Sequence, residues 1–304
     1  MIFNKRHNCG LLPFIREDVH GLSPNDPQEI GWEIKLMGVD KQWNKSAGKN
    51  VTVAVIDTGC DINHPDIKDN IVDTYNAING TKDATDDNGH GSHVCGTIAA
   101  INNNRGIVGV APQAKIIAIK ALGRNGTGSG SSVAKGIKYA VDNGADIITM
   151  SLGMPYNDMA IKKQLKYALK SNVISFCAAG NSGRSVDIMY PAKLEETFSI
   201  GAIDKNMNIG NFTCSGESLD FLAPGVDILS IIPGGKYALM TGTSMSNPFA
   251  AGVGALYLSK YKYMNNGKRM SMNEMLDMLK SGCIDTSNRE KKHQGYGILK
   301  PLLQ

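Results

Sequence analysis

The chain has 304 residues, which is enough for one large domain or two ordinary ones, and an α/β protein of this length is commonly a single unit. Hydrophobic residues at 42% and charged residues at 20% are typical of a globular protein with a large core. The 32 basic and 28 acidic side chains give a net charge of +4 without a basic block, so nothing indicates binding to nucleic acid. No run approaches the roughly 18 apolar residues of a membrane span, so we predict no membrane partner.

The first ten residues include basic side chains but no apolar stretch of the kind that a secretory signal contains. We therefore predict a cytoplasmic protein. The six cysteines are scattered without Cys-x-x-Cys spacing, so buried free thiols are expected rather than disulfides or a cysteine metal site.

Residues 1–30 show no clear periodicity and contain three prolines. We assign residues 1–25 to an N-terminal extension and residues 26–304 to the folded domain. The extension contains one apolar cluster, which consists of Leu11, Leu12, Pro13 and Phe14. On composition alone, this cluster predicts a hydrophobic latch on the surface of the domain.

From residue 31 onward, strand and helix patterns alternate. Apolar runs predict strands at 51–57, 114–122, 145–152, 173–179 and 197–203, and apolar residues on one face predict helices at 91–100, 131–143 and 158–171. Shorter strands follow near 219–222 and 226–229, with a Pro-Gly-Gly turn at 233–235. Alternation with continuously apolar strands predicts a mainly parallel sheet that helices cover on both faces. Functional sites in such folds lie beyond the carboxyl ends of the strands.

A candidate nucleophile, Ser244, lies in the stretch Gly-Thr-Ser-Met-Ser-Asn-Pro at 242–248, directly before a long apolar run. The pattern predicts a helix that begins here, with Pro248 close to its first turn. The free N–H groups of a helix start favour negative charge, which an acyl-transfer nucleophile needs beside it when an oxyanion forms. Taken alone, a serine in this setting is more typical of a helix N-cap.

Two further stretches change that interpretation. Residues 51–57 form an apolar strand that ends in Asp57, and residues 88–97 place His90 at a glycine-flanked helix start. Asp, His and Ser in this order is one of the chain orders in which catalytic triads occur. Histidine accepts and returns a proton near neutral pH, and a carboxylate on its other nitrogen selects the required tautomer. We predict that Asp57, His90 and Ser244 form a triad.

With these three motifs, the chain resembles the subtilisin-like serine proteases (subtilases, peptidase family S8), most closely the intracellular subtilisins, from about residue 31 to its C-terminus. The resemblance implies a three-layer α/β fold and peptide hydrolysis through an acyl-enzyme on Ser244. It also implies that His90 is catalytic and that His93, the second histidine of the His-Gly-x-His motif, is structural. Ser92 and Phe249 depart from the residues usual in the family.

The resemblance further implies that Asn181 donates to the oxyanion. An extended substrate would lie between two backbone segments by strand addition, and glycines there permit close approach. The pocket for the substrate residue that precedes the cut bond would have small, apolar walls. We therefore expect an apolar or uncharged side chain at that position of the substrate. These expected substrate-binding residues are Gly126, Thr127, Gly128, Ser151, Leu152, Gly153, Ala178, Ala179 and Gly180.

Two other features follow from the resemblance. In intracellular relatives a Leu-Ile-Pro-Tyr-like motif lies across the cleft, which implies that Leu11, Leu12, Pro13 and Phe14 form an inhibitory extension. A proline there restricts the backbone and lacks an N–H, which lets a peptide occupy the cleft without being cut. A structural calcium site is also implied, with oxygen ligands from Asp66, Asn103 and Asp26.

We therefore predict a cytoplasmic serine endopeptidase that is made with an autoinhibitory extension and acts on peptides or proteins. One alternative is a maturation protease dedicated to the leader of one precursor. A second is a non-catalytic pseudoprotease, although no triad member is substituted. An esterase with the same triad lacks support, because the Gly-x-Ser-x-Gly motif is absent around Ser244. The sequence leaves open whether the protein forms a homodimer.

Overall fold

A computed structural model describes residues 8–286 and 289–303. Within these ranges the strands are β1 (Asn8–Leu11), β2 (Ile15–Val19), β3 (Thr52–Asp57), β4 (Ile71–Asn76), β5 (Lys115–Lys120), β6 (Thr127–Ser129), β7 (Ile147–Met150), β8 (Leu152–Gly153), β9 (Ile174–Ala178), β10 (Phe198–Ile203), β11 (Phe221–Pro224), β12 (Ile228–Ile232) and β13 (Lys236–Thr241). The α-helices are α1 (Trp32–Met37), α2 (His90–Ala99), α3 (Gly130–Asp142), α4 (Met159–Lys170), α5 (Thr243–Met264), α6 (Met272–Gly282) and α7 (Lys291–Gln294).

Seven strands form one parallel sheet in the order β11-β10-β9-β7-β3-β5-β4. Central strands such as β7 and β9 are buried along their whole length, because their apolar side chains point to both faces. Helix α2 packs on α5 and helix α3 packs on α4, and members of both pairs contact the sheet. The predicted α/β fold with a mainly parallel sheet between helices is confirmed, although helix α6 was not predicted.

Helix α5 begins at Thr243, so Pro248 lies in its second turn, next to the first turn near which the sequence pattern predicted it. A proline inside a helix leaves the carbonyl four residues earlier without its usual N–H partner. Here that carbonyl belongs to Ser244, and it accepts a hydrogen bond of 2.9 Å from the hydroxyl of Ser151. The helix continues through the proline because a side chain at the end of a neighbouring strand replaces the missing backbone donor.

The N-terminal extension contains two strands that the sequence pattern did not predict. Strand β1 lies between β6 and β8 and is antiparallel to both. Strand β2 adds to the edge of the hairpin formed by β12 and β13. Short strands of this kind are stable only when paired with other strands, so their own residues carry little local signal.

The six cysteines are free thiols in the described ranges, and five of them are buried. This agrees with the prediction from their spacing. Of the helices that the structure describes, none has both the length and the apolar character to cross a membrane.

A buried carboxyl group lies in helix α1. Glu33 is only 4% exposed, and its side chain folds back against Gly31, where a side chain would collide with the Glu33 carboxyl group. One of its oxygens has no hydrogen-bond partner among the described residues. Burial raises the pKa of Glu33 to about 7. The folded protein therefore favours the protonated, uncharged carboxyl.

We expect Glu33→Gln to stabilise the protein at pH 8 but to change its stability little at pH 4. A pKa raised from 4.5 to about 7 means that the folded state holds the proton more tightly, so stability is lost as pH rises through this window. The glutamine variant removes this loss, by at most about 3 kcal/mol above pH 7. Thermal unfolding at pH 4, 6 and 8 measures the effect. The exposed Glu195→Gln serves as control, and an equal gain at all three pH values would contradict the interpretation.

Candidate active site

The structure brings Asp57 and His90 together at the carboxyl edge of the central sheet. Asp57 is the last residue of β3, and His90 is the first residue of α2. The Nδ1–H of His90 donates to Asp57 Oδ1 at 2.8 Å, and the backbone N–H of Thr58 donates to the same oxygen at 2.7 Å. With the proton on Nδ1, the Nε2 atom of His90 has a free lone pair and can accept a proton.

Asp86 holds the loops that carry these two residues, and the sequence analysis did not identify it. Its carboxylate accepts hydrogen bonds from the hydroxyl of Thr58 at 2.8 Å and from the N–H of Gly89 at 2.9 Å. It also accepts from the N–H and the hydroxyl of Ser92. Burial by itself would raise the pKa of Asp86, but the bonds from Gly89 and Ser92 lower it below its usual value. The sequence feature that could have indicated this role is the pair of aspartates directly before the Asn-Gly turn that leads into His90.

Ser244 lies in the first turn of α5 and is buried. Its backbone N–H is one of the amides that a helix start leaves without an intrahelical partner. The Ser244 hydroxyl donates a long bond of 3.4 Å to the carbonyl of Ser151, and His90 Nε2 has no hydrogen-bond partner among the described residues. Catalytic hydrogen bonds are often loose before a substrate binds, so this geometry is compatible with a serine and its base.

Asn181 follows strand β9, and its side chain has a fixed orientation. Its Oδ1 accepts bonds from the N–H of Thr243 at 2.9 Å and from the Thr243 hydroxyl at 2.7 Å. These bonds fix the orientation of the side-chain amide and leave Nδ2 free to donate elsewhere. Nδ2 donates to the carbonyl of Pro13 at 2.7 Å. The residue predicted to bind an oxyanion thus binds a carbonyl oxygen of the extension.

The two predicted substrate-binding segments flank β1 of the extension. Gly10 pairs with Thr127 of β6 on one side and with Gly153 of β8 on the other, and Leu11 donates its N–H to the carbonyl of Gly126 at 2.8 Å. The first segment contains the predicted residues Gly126, Thr127 and Gly128. The second contains the predicted residues Ser151, Leu152 and Gly153. Both segments therefore offer their backbones to an extended peptide.

The pocket beside this strand is small and apolar. A side chain at Gly153 would lie within 2.6 Å of the Leu12 side chain and 3.3 Å of the Met189 sulfur. Gly180 also faces Met189, and Ala179 accepts a hydrogen bond from the Met189 N–H. Ala178, Ala179 and Gly180 are buried at the end of β9. Leu12 fills the pocket and is only 2% exposed.

The second histidine of the motif, His93, makes a structural contact. Its Nε2 lies 2.9 Å from the carbonyl oxygen of Ile228 and 3.2 Å from that of Ala238, so this nitrogen carries the proton and donates. Burial lowers the pKa of His93 to about 3, and the ring stays neutral. It therefore links α2 to the hairpin of β12 and β13.

The residues expected to hold calcium lie near a cluster of carbonyl oxygens. Gln28, which the sequence analysis missed, points its amide at the carbonyls of Ile101 (2.8 Å), Arg105 (3.1 Å) and Ile107 (3.0 Å). An NH₂ group has two hydrogens, so three carbonyls are not fully satisfied. Asp66 is buried nearby. The N–H of Ile107 donates to its Oδ2 at 2.9 Å, and its Oδ1 has no partner among the described residues.

Carbonyl and carboxylate oxygens suit a hard cation, and rotation of the Gln28 amide by half a turn would place its oxygen among the three carbonyls where its nitrogen now lies. The Oδ1 of Asn103 accepts from the N–H of Arg105 in the same loop. The carboxylate of Asp26 accepts from the N–H of Ser23, so its side chain caps its own turn. A metal site built only from three or more His, Cys, Asp or Glu side chains does not occur in the described ranges.

Comparison with known proteins gives a consistent result. The family model described as the subtilase family matches residues 48–297. The chain is 40% identical to the major intracellular serine protease of Bacillus subtilis (strain 168), over 88% of this chain and 86% of that protein. It is 42% identical to an intracellular serine protease of Paenibacillus polymyxa, over 89% of this chain and 85% of the relative. Subtilisin DY of Bacillus licheniformis is 42% identical over 77% of this chain and 86% of that protein.

Proposed function

Because the chain belongs to the subtilase family and is a serine endopeptidase, we propose that Ser244 is its nucleophile, with His90 as general base and Asp57 behind it. The observation that carries this proposal is the 2.8 Å bond between His90 Nδ1 and Asp57, which leaves Nε2 without a partner and able to accept a proton. The alternative of a pseudoprotease has no support in this arrangement.

The proposed reaction follows from these groups. His90 Nε2 takes the proton of the Ser244 hydroxyl as its oxygen attacks the peptide carbonyl, and Asp57 stabilises the imidazolium. Asn181 Nδ2 and the free N–H of Ser244 stabilise the oxyanion. The imidazolium then gives its proton to the leaving amine, and an acyl-enzyme remains. Water, deprotonated by the same histidine, releases the acid and restores the serine.

We expect Ser244→Ala to abolish hydrolysis of casein and of a chromogenic peptide while the protein stays folded. Replacing one hydroxyl by hydrogen removes the nucleophile and one long hydrogen bond, so the thermal midpoint should change little. Ser246→Ala is the matched control, because Ser246 is equally buried in the same helix but donates to the carbonyl of Thr243. A folded Ser244→Ala protein that hydrolyses casein at the wild-type rate would refute the assignment.

We further propose that the extension inhibits the enzyme by occupying the cleft out of register. In a substrate, one residue places its side chain in the pocket and its carbonyl at the oxyanion donors. In the extension these functions fall on different residues, because Leu12 fills the pocket whereas Pro13 bonds to Asn181. The Phe14 ring lies 4.9 Å from the His90 ring and covers the base. The extension thus has one residue too many across the catalytic centre.

Deletion of Pro13 should turn the inhibitory extension into a substrate. With one residue fewer, Leu12 would keep its side chain in the pocket and bring its own carbonyl to Asn181, so the bond after Leu12 should be cut. Intact mass measured over time should show loss of the first twelve residues, together with rising peptidase activity.

The variant Pro13→Ala keeps the number of residues in the extension but removes the proline. It therefore tests whether the register of the extension or the proline itself prevents cleavage. We expect this variant to stay inhibited. If Pro13→Ala and the deletion release activity equally, the proline itself prevents cleavage and the register explanation is wrong. A second change, Ser244→Ala, introduced into the deletion variant should stop the mass loss, since the cut then lacks its nucleophile.

The contacts with β6 and β8 are made by backbone atoms, which favours a protease of broad sequence tolerance over one dedicated to a single precursor. Cleavage of casein at many sites, against a single cut in one precursor, distinguishes the two. We also propose that the enzyme acts in the cytoplasm. Support comes from the names of two relatives, both of which are called intracellular serine proteases.

We propose in addition that calcium binds at the carbonyl cluster around Gln28 and stabilises the fold. The carbonyls of Ile101, Arg105 and Ile107 and the free oxygen of Asp66 would hold it. The Gln28 amide would rotate to replace its NH₂ group by its oxygen, and Asn103 would supply a further oxygen. The ion would take no part in the chemistry of Ser244.

Calcium at a hundredfold excess over its dissociation constant should stabilise the protein by about 3 kcal/mol, because it binds only the folded state. Thermal unfolding with calcium and with a chelator measures this difference. Asp66→Asn should remove most of it, whereas the exposed Asp69→Asn should keep it. An equal calcium effect in both variants would place the ion elsewhere.

A further inference from the structure

The carbonyl group of Ser244 depends on a side chain outside helix α5. Pro248 has no N–H to offer it, and the hydroxyl of Ser151 donates to it at 2.9 Å instead. The hydroxyl of Ser244 in turn donates to the carbonyl of Ser151 at 3.4 Å. Ser151 therefore contacts both the backbone and the side chain of the proposed nucleophile.

A second polar side chain, that of Asn247, reaches Ser151 from the same helix. Asn247 lies three residues after Ser244 and is completely buried. Its Nδ2 donates to the hydroxyl of Thr149 at 2.8 Å and to the hydroxyl oxygen of Ser151 at 3.4 Å, which is long for such a bond. An amide NH₂ group has two hydrogens in one plane, so the short bond to Thr149 fixes the direction of the second hydrogen, toward Ser151.

This contact decides where the hydrogen of the Ser151 hydroxyl goes. Asn247 presents a donor to the Ser151 oxygen, so the single hydrogen of Ser151 stays available to the carbonyl of Ser244. An acceptor in the place of Nδ2 would take that hydrogen away from Ser244.

The stability of the fold does not by itself explain an asparagine at this position. Its Oδ1 is buried and has no hydrogen-bond partner among the described residues. A buried polar atom without a partner lowers the stability of a protein, and such local costs are typical of functional sites.

We propose that Asn247 is a positioning residue for the hydrolysis, because it directs the Ser151 hydroxyl to the carbonyl of Ser244 and so holds the attacking residue in place. The inference rests on the proposed function, since it takes Ser244 as the nucleophile. Within the described ranges Asn247 makes no hydrogen bond to the extension that occupies the cleft, so it acts through Ser151. Its loss should therefore lower kcat and leave KM almost unchanged.

The test places a carboxylate at position 247. Asn247→Asp keeps the shape of the side chain, but its oxygens accept the hydrogen of Ser151 and draw it from the carbonyl of Ser244. With a peptide p-nitroanilide as substrate, kcat should fall about three- to tenfold, the factor for one net hydrogen bond, and KM should change by less than about twofold. The full chain is used after incubation to constant activity, and each rate is divided by the number of sites that a fluorophosphonate titrates.

Two further variants separate this effect from that of the added charge. In a Ser151→Ala background, Asn247→Asp should lower kcat by less than about twofold, because the hydrogen that it would take is absent. Thr149→Val adds no charge and removes only the acceptor that fixes the amide, so kcat should fall by a smaller factor than in Asn247→Asp. Thr149→Val also decides the question if Asn247→Asp does not fold.

The matched control is Asn70→Asp. Asn70 is also buried, and its Nδ2 donates to the carbonyls of Ala99 and Pro112, of which Ala99 lies at the opposite end of α2 from His90. This variant should lower the thermal midpoint but leave kcat per titrated site unchanged.

An unchanged kcat in Asn247→Asp or in Thr149→Val, or an equal loss with and without the Ser151 hydroxyl, would overturn the role of Asn247. The proposed function would still stand, provided that the wild type hydrolyses the peptide and Ser244→Ala does not. If the wild type hydrolyses no substrate, the proposed function fails and this inference fails with it.

Discussion

The start of helix α5 is held from two sides by residues that follow neighbouring parallel strands. Ser151, beyond β7, donates its hydroxyl to the carbonyl of Ser244, and Asn181, beyond β9, accepts two hydrogen bonds from Thr243. These bonds replace the donor that Pro248 lacks and fix the direction of the Asn181 amide. The proposed nucleophile, the proposed oxyanion donor and the predicted substrate-binding segment at 151–153 thus share one set of contacts. Because β7 and β9 are adjacent in the sheet, the whole arrangement depends on the parallel strand order.

The extension contacts the same groups that we propose for substrate binding. It forms a strand on each side of the proposed catalytic centre, and its Pro13 carbonyl accepts the hydrogen bond from Asn181 Nδ2. Since the extension is part of the same chain, its local concentration is high, so under the proposed inhibition modest backbone contacts would suffice to exclude other peptides. The two strands are separately anchored by the sheets that they join. The residue count between the anchors, rather than the strength of either one, then decides which carbonyl lies at Asn181.

The proposed catalytic pair, Asp57 and His90, is held in place by polar groups that lie elsewhere in the sequence. Asp86 binds the segment after Asp57 and the segment around His90 at the same time, and it does so inside the protein, where an unpaired carboxylate would be costly. Ser92 takes part in this network through its hydroxyl, which a threonine would also provide. The departure from the usual family residue at position 92 therefore leaves the network intact.

The sequence by itself determined the alternation of strands and helices, the parallel sheet and the three motifs around Asp57, His90 and Ser244. These are visible because burial on both faces produces continuous apolar runs, and because catalytic residues lie at the ends of such runs. Only the tertiary structure decided how the extension lies, since its strands are ordered by pairing with distant segments and carry no pattern of their own. The same holds for Asp86 and Gln28, whose partners are far away in sequence, and for Pro248, which a side chain from another strand accommodates. Contacts of this kind depend on distances between segments, which local residue patterns do not encode.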